Sequence, residues 1–514
     1  MPWNAPTGPE LTTMAEGGYE REYKFAVPAD WLLPALDDLC SADDETAVEQ
    51  TATYYDTPDL RLTRAGASLR YRSDDGWTVK LPVDDHTRGM LVRAEHCFGG
   101  TVSSPPGGAL ELVAARVRTA RLAPVVRLHT ARRSTTLRAP ATDGAPGSVL
   151  GVLTDDRCTV LDGSERGEFH EIELELADDA PTEVVDAVTH RLRDAGALDS
   201  SATPKVKRAL GPAANAPPDV VSYPLDHPAT VDAVIRHAVS DAVCKLVAND
   251  PVVRIGDDIE GVHQARVATR RLRSHLRTFR ALLEPEWTES LRTELGWLGS
   301  ELGAVRDADV LLDRLTRRVD QLDEPDRLAA RPLLDRIVAQ QAGARAVLLD
   351  GLRSPRYLQL LDRLVEAAHR PQVVMRVGGN DDLELRALVR RPLRQLRTAV
   401  AALPEPAPDP ALHAVRIRAK RARYATEVVA PAFGPPARDL AKALARVQEV
   451  LGEHQDAVIA GAWLRATALT LTDPAAVYAA GELGAAERAA ADASRAAWPA
   501  TWKAVDHTRL RSWL

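Results

Sequence analysis

The chain has 514 residues, 45% of them hydrophobic and 27% charged, which excludes a disordered or low-complexity protein and fits about two to four domains. A formal net charge of −8 announces no global affinity for polyanions, and no run approaches the ~20 apolar residues of a membrane helix. Cys40, Cys97, Cys158 and Cys244 stand far apart with no C-x-x-C pair, so ordinary thiols in a reducing, cytoplasmic setting are expected rather than disulfides or a zinc site. In chain order, residues 1–18 lack a basic stretch followed by an apolar one and read as a flexible tail. Residues 19–210 alternate with period two in Tyr19–Val27, Ser68–Tyr71, Trp77–Leu81, Met90–Glu95, Val125–Leu137 and Phe169–Leu176, with turn clusters such as Ser73-Asp74-Asp75-Gly76 between them. A Pro- and Ala-rich linker is expected at 211–224. From there to residue 514 Ala, Leu, Arg and Glu recur with helical period, broken by prolines at Leu403–Pro410 and Pro431–Pro436. The expected fold class is α+β in two domains, a mostly-β one followed by an all-α one.

The α region repeats itself. His263-Gln-Ala-Arg266-Val-Ala-Thr-Arg270-Arg271-Leu-Arg273 and His413-Ala-Val-Arg416-Ile-Arg-Ala-Lys420-Arg421-Ala-Arg423 share one spacing, H-x-x-R-x-x-x-[RK]-R-x-R. Each is followed some forty residues on by a Leu-Gly pair and an Asp: Leu302-Gly303 with Asp307, and Leu451-Gly452 with Asp456. The histidines lie 150 residues apart (413 − 263) and the leucines 149 (451 − 302), so two matches in register point to duplication. The expected halves are about 225–370 and 382–514.

Charge position is more informative than charge abundance. Only 8 of the 65 basic residues are Lys, an excess of Arg that coding bias explains by itself. Glu20, Glu22 and Lys24 sit at i, i+2 and i+4, so on a strand they share a face. Glu171, Glu173 and Glu175 do the same, as do Arg70 with Arg72 and Arg93 with Glu95, with Lys80 between. In Phe169–Leu176 the complementary face is apolar: Ile172, Leu174 and Leu176. If the charged faces all turn inward, a β-barrel encloses a polar tunnel instead of a core. Carboxylates there suit hard divalent cations, and Arg and Lys suit phosphate oxygens. The P-loop spacing is absent, so Walker-type nucleotide chemistry is not expected.

The ordered set resembles the CYTH domain of the triphosphate tunnel enzymes. It comprises Glu20-x-Glu22-x-Lys24, Tyr54-Tyr55-Asp56-Thr57-Pro58, Leu69-Arg70-x-Arg72, Lys80, Arg93-x-Glu95, Arg132, Asp156, Glu171-x-Glu173 and Lys205. The resemblance covers residues 19–210. It implies an eight-stranded antiparallel tunnel that hydrolyses inorganic triphosphate or thiamine triphosphate, or cyclises ATP, with Mg²⁺ or Mn²⁺. By that similarity Asp156 (or its neighbour Asp155), Glu171 and Glu173 would hold the metal. Glu20, Glu22 and Lys24 would be the catalytic group. Lys24, Arg70, Arg72, Lys80, Arg93, Arg132 and Lys205 would bind phosphates.

His263, Arg266, Arg270, Arg273 and Arg277 step by three or four and line one side of a helix; His413, Arg416, Lys420 and Arg423 form the second stripe. From His263 to Arg280 there are six Arg and no acid, a self-repelling row that needs neighbouring acids or a polyanion ligand to balance it. This region, 225–514, resembles CHAD, the conserved histidine α-helical domain that often follows CYTH. That implies two helical bundles related by pseudo-twofold symmetry around a basic groove for inorganic polyphosphate. The leading expectation is therefore an inorganic triphosphatase whose helical domain binds polyphosphate and tethers it to polyphosphate granules in the cytoplasm. The alternatives are a non-catalytic polyphosphate-binding scaffold and an adenylate cyclase. Nucleic acid is disfavoured because the basic helices carry no interleaved aromatics and aromatics make up only 4% of the chain; no membrane partner is expected.

Overall fold

The computed structural model describes residues 15–83, 90–140, 147–162, 167–199, 204–374 and 380–514. They fall into two compact units that divide between Asp219 and Val220.

The first unit is built on β1 (Ala15–Val27), β2 (Ser41–Ala42), β3 (Thr46–Asp56), β4 (Ser68–Arg72), β5 (Gly76–Pro82), β6 (Leu91–Phe98), β7 (Ala123–Arg138), β8 (Val149–Asp162), β9 (Glu168–Leu176) and β10 (Leu198–Asp199). The order β1-β6-β5-β4-β3-β7-β8-β9 closes when β9 pairs back onto β1, giving an eight-stranded antiparallel barrel. The short β2 and β10 extend β7 and β1. β1 starts at Ala15, so the expected tail overlaps a strand at its end, and residues 1–14 lie outside the described residues.

Because charged faces turn inward, the apolar faces must be covered from outside. Helix α3 (Thr182–Asp194) does this on one side: its Val188 and Leu192 pack on Phe25, Leu137, Leu153, Ile172 and Leu174. Helix α1 (Arg61–Arg64) is capped by buried Asp56, which accepts from Leu62 N at 2.9 Å and Thr63 N at 2.8 Å. The Tyr-Tyr-Asp-Thr-Pro segment is thus architectural. Helix α2 (Gly107–Val117) packs on β5 and β6, and α4 (Lys205–Leu210) sets Val206, Ala209 and Leu210 against Ala52, Tyr54 and Leu128. The expected linker is in part folded. Gly211–Asn215 is a 3₁₀ turn whose Ala214 is fully buried in that cluster, and Asp219 pairs with Arg118. Small apolar side chains had read as loop composition, but here they fill a crevice against the barrel.

The second unit is helical: α5 (Val231–Ile255), α6 (Ile259–Thr278), α7 (Pro285–Val319), α8 (Glu324–Arg353), α9 (Pro355–His369), α10 (Asp381–Ala401), α11 (Asp409–Phe433), α12 (Pro435–Ala468) and α13 (Pro474–Val505). In α5–α8, and again in α10–α13, each helix packs on the next. Across the halves each helix also meets its counterpart: α5 with α10, α6 with α11, α7 with α12 and α8 with α13. Like elements meeting like elements is the signature of an isologous, pseudo-twofold arrangement. Leu315, Leu333 and Ile337 of one half interlock with Leu464, Ala479 and Leu483 of the other. The proline break expected at Pro431–Pro436 is narrower than it looked. Pro431 lies inside α11, and the chain turns at Gly434, whose φ of 69° suits a residue without Cβ.

Candidate functional site

Strand register brings the barrel's charges together. Glu20 faces Arg93 across β1–β6, and Lys80 faces Glu95 across β5–β6. Lys24 faces Glu173 across β1–β9, Arg132 faces Asp156 across β7–β8, and Asp156 faces Glu171 across β8–β9. Directly opposed side chains on one face are within reach of each other, and they connect into a network. Lys80 Nζ lies 2.6 Å from Glu20 and 3.2 Å from Glu95. Arg93 bridges Glu20 at 3.0 Å and Glu22 at 2.6 Å, and Lys24 contacts Glu22 at 2.9 Å and also Glu173. Glu20, Glu22, Lys24, Lys80, Arg93 and Glu95 line a cavity of about 210 Å³ together with Arg70, Arg72, Arg132, Glu173 and Lys205.

At one end of this network three carboxylates converge. One oxygen each from Asp156, Glu171 and Glu173 lies within 4.8 Å of the others, and all three side chains are buried. Lys205 Nζ, brought in by α4, stands 2.7 Å from Asp156, 2.9 Å from Glu171 and 2.8 Å from Glu173. Arg132 holds Asp156 through two donors, at 2.8 and 2.6 Å, and Arg208 holds Glu171 at 2.9 Å. A cation therefore already sits where three hard oxygens meet, and that donor set fits Mg²⁺ or Mn²⁺. Glu171 Oε1 has no well-aligned donor despite the nearby ammonium, which leaves a lone pair for a metal. Asp155 faces away from the cavity and bonds His170 Nε2 at 2.7 Å, so of the two adjacent aspartates it is Asp156 that joins the cluster.

The electrostatics follow from burial and pairing. Burial by itself would raise Glu22, Asp156 and Glu171, but adjacent cations outweigh it: Lys24 and Arg93 for Glu22, Lys205 and Arg132 for Asp156, Lys205 and Lys24 for Glu171. All three are held below the usual carboxylate range and stay ionised. Burial pulls Lys24 down to about 8, in spite of Glu22. Glu175 goes the other way, raised by burial and then by Glu20.

Two tunnel residues fall outside the charged strand pattern. Asp75 of the β4–β5 turn lines the cavity and offers one oxygen to both Arg72, at 3.0 Å, and Arg70, at 3.5 Å. Gln50 accepts from Arg72 at 3.1 Å. Asp75 had read only as a turn residue, and nothing local told that its side chain bends into the barrel.

In the helical unit α6 and α11 cross, and their basic stripes meet at a second cavity of about 310 Å³. It is lined by Arg266, Arg270, Arg273, Arg277, Arg292, Lys420 and Arg421; no lining side chain among the described residues is acidic. Tyr424 forms part of the wall, with Arg270 stacked 5.6 Å from its ring centre. The repeated Leu-Gly…Asp segments have a local role. Leu302 and Leu451 are buried, and the guanidiniums of Arg266 and Arg416 lie over Gly303 and Gly452. Asp307 then holds Arg266 at 3.1 Å.

Four expected members of the stripe lie off this cavity's wall: His263, His413, Arg416 and Arg423. Burial and then Arg306 push the pKa of His263 down, so its positive charge is confined to acid pH. His413 Nδ1 donates to Gln455 at 2.6 Å, and Arg423 is drawn to Glu427 at 2.6 Å. Arg292 comes from α7, outside either stripe, and Arg421 is one residue off the three-four spacing; only the helix crossing brings them in.

Comparison with known proteins agrees with this division. The CYTH domain model matches residues 18–210, and the CHAD domain model matches residues 237–465. Two curated relatives from Mycobacterium tuberculosis, the uncharacterized proteins Rv2226 and MT2285, are each 33% identical over 476 residues, covering 86% of this chain and 87% of theirs. The chain is a CYTH–CHAD protein. Among solved structures, PptA from Streptomyces chartreusis aligns at 27% identity over 53% of this chain and 99% of its own, with a TM-score of 0.47. The CHAD domain from the plant Ricinus communis aligns at 30% identity over 54% of this chain and 96% of its own, with a TM-score of 0.43. CYTH domains are triphosphatases or cyclases that generally use divalent metals, and this CYTH domain carries the buried acidic cluster such an ion would need. No described helix of the CYTH–CHAD protein is long and apolar enough to cross a membrane.

Proposed function

We propose that the CYTH domain hydrolyses inorganic triphosphate, or a closely related triphosphate, with a divalent cation, and that the CHAD domain binds inorganic polyphosphate. The carrying observation is the tunnel itself: three converging buried carboxylates, of which Glu173 lines a cavity walled by cations, inside a closed barrel of paired strands. Internal ion pairs hold both sets in place until ligand arrives. On arrival of a metal–triphosphate complex, Asp156, Glu171 and Glu173 would hold the metal, and the cations they release would donate to the phosphates.

A divalent ion bound there would neutralise developing charge on phosphate oxygens. The chain's own residues do the rest. Arg70, Arg72, Lys80 and Arg132 hold the equatorial oxygens, where pre-set donors are most effective. Water attacks the terminal phosphorus, the P–O bond to the bridging oxygen breaks, and pyrophosphate leaves; the water's proton passes to the leaving group or solvent. Glu22 is a poor proton acceptor, because both its oxygens are engaged by Arg93 and Lys24 and its pKa is depressed. Its part is to fix those two cations. We favour hydrolysis over cyclisation because the cavity wall is mostly charged; Ala52, Tyr54, Leu128 and Val206 supply only a small apolar patch for a nucleobase.

Tethering at polyphosphate granules in the cytoplasm follows if the CHAD groove binds such chains. The deciding measurement is phosphate release from inorganic triphosphate with Mg²⁺ or Mn²⁺, for wild type and Glu22→Gln. Metal-dependent turnover that collapses in the variant supports the hydrolase. No turnover with either ion, alongside intact polyphosphate binding, favours the scaffold.

A further inference from the structure

The repeat that builds the CHAD groove is not symmetric in charge. Residues matched by the 150-residue offset pair Arg266 with Arg416, Arg270 with Lys420 and Arg273 with Arg423. The next step pairs Arg277 with Glu427 (277 + 150), a reversal of sign. Arg292 of α7, carried forward by the 149-residue offset of the Leu-Gly segments, falls on Ala441 (292 + 149). The second half therefore lacks two of the arginines that line the groove in the first half and has an acid in place of one.

The geometry makes this difference local. Glu427 takes Arg423 in an i,i+4 pair at 2.6 Å, and Arg423 drops out of the cavity lining. Its counterpart Arg273 lines the cavity beside Arg277, Arg292 and Arg421. Burial, and then the guanidiniums of Arg421, Arg292, Arg273 and Arg280, lower the pKa of Arg277. Arg277 makes no ion pair among the described residues. Arg292 gives one donor to Glu289 at 2.6 Å, while its buried Nε and that of Arg421 have no acceptor, as is also the case for Arg270 and Arg416. Carboxylates reach the remaining stripe residues: Asp307 pairs with Arg266, and Asp456 acts on Arg416 and Lys420. A cluster of like charges with spare donors is stabilised by a multivalent anion more than a balanced cluster is.

We infer that the CHAD groove holds a phosphate chain off its pseudo-twofold axis, in one anchoring subsite made by Arg273, Arg277, Arg292 and Arg421, and that Glu427 abolishes the twin subsite. The inference rests on the polyphosphate reading of this domain. An unbranched phosphate chain reads the same in both directions, so a symmetric groove would offer it two equal registers. The one-sided groove selects one.

The test compares positions that symmetry would make equal. Binding of a short polyphosphate of defined length to the full-length protein is measured by calorimetry for wild type, Arg277→Gln and Arg423→Gln. The tunnel is common to all, so differences between variants report on the groove. Arg277→Gln should weaken binding about tenfold, the loss of a charged hydrogen-bonding partner, while Arg423→Gln changes it less than about twofold, as for a rim charge already paired. Arg277→Lys, which keeps the charge, should recover part of the loss and shows that the effect is not misfolding. Glu427→Arg should tighten binding by restoring the twin. Equal losses at Arg277 and Arg423 overturn the inference while leaving polyphosphate binding intact. A wild-type protein that binds no polyphosphate overturns the reading beneath it and the inference as well.

Discussion

The groove's charge count sets a salt dependence that can be measured. Seven cations line it: Arg266, Arg270, Arg273, Arg277, Arg292, Lys420 and Arg421. A flexible polyanion releases roughly 0.7 counterions per contact, so log K against log[salt] should fall with a slope of about −5 if all seven engage. Between about 50 and 200 mM salt that amounts to roughly a thousandfold loss of affinity. Arg273→Gln removes one contact and should bring the slope to about −4 while weakening binding at every salt concentration. Fluorescence anisotropy of labelled polyphosphate, titrated at several KCl concentrations for both proteins, gives the two slopes directly. A wild-type slope shallower than about −2, or identical slopes in both proteins, would refute the claim that this groove engages phosphate through its full set of cations.

Other consequences follow from single contacts. Asp75→Asn removes the carboxylate that competes with substrate for Arg70 and Arg72, so KM for triphosphate should fall several-fold with kcat little changed; a higher KM would contradict it. Asp156→Asn leaves Arg132 and Lys205 without their main partner and should cost the barrel about 3 kcal/mol, read by urea denaturation. Asp156 has a folded pKa below its unfolded value of about 3.9, so its stabilisation is present above that pH and is lost as pH falls through the folded pKa. Wild type should therefore unfold more readily than the Asn variant's own baseline predicts as pH drops below about 4. Burial, then Arg416, Arg270 and Arg266, lower Lys420 to about 8; polyphosphate should raise it again, so binding takes up protons near pH 8 and weakens above it. Calorimetry in buffers of different ionisation enthalpy would detect the uptake, and Lys420→Arg should remove it.

Period-two charge made the tunnel legible from Glu20, Glu22, Lys24 and the later strands, because one residue's position fixes the face of its neighbours. Strands β3 and β8 were not marked by the same signal. β3 begins with Thr46–Glu49 exposed and contributes Gln50, Ala52 and Tyr54 to the cavity, neutral residues that leave no charge stripe. β8 carries Asp156 with Thr154 beside it, again little alternation to see. The convergence of Asp156, Glu171 and Glu173 depends on the β8–β9 register, a long-range fact. In the helical half the repeat marked the stripes, but the crossing of α6 and α11 decided which members share a cavity. That is why Arg292 and Arg421 join the cavity wall and Arg423 stays off it.

The two domains solve the same electrostatic problem in opposite ways. In the tunnel nearly every cation has a carboxylate within reach, so the site's own charges balance and a bare polyanion would have to break ion pairs to enter. A divalent ion held by Asp156, Glu171 and Glu173 would remove that obstacle, and metal would then belong to the binding equilibrium itself. No acid lines the CHAD groove, and Asp307 and Glu289, which pair with Arg266 and Arg292, are exposed, so a polyanion needs no metal to take up freed carboxylates there. Chelation should therefore abolish triphosphate binding to the tunnel and leave polyphosphate on the groove, whereas high salt should strip the groove first. Polyphosphate captured where no metal is required would raise the concentration of phosphate chains available to the same molecule. Loss of both ligands together on adding EDTA would argue against that separation, because it would mean the groove depends on an ion that its residues give no means of holding.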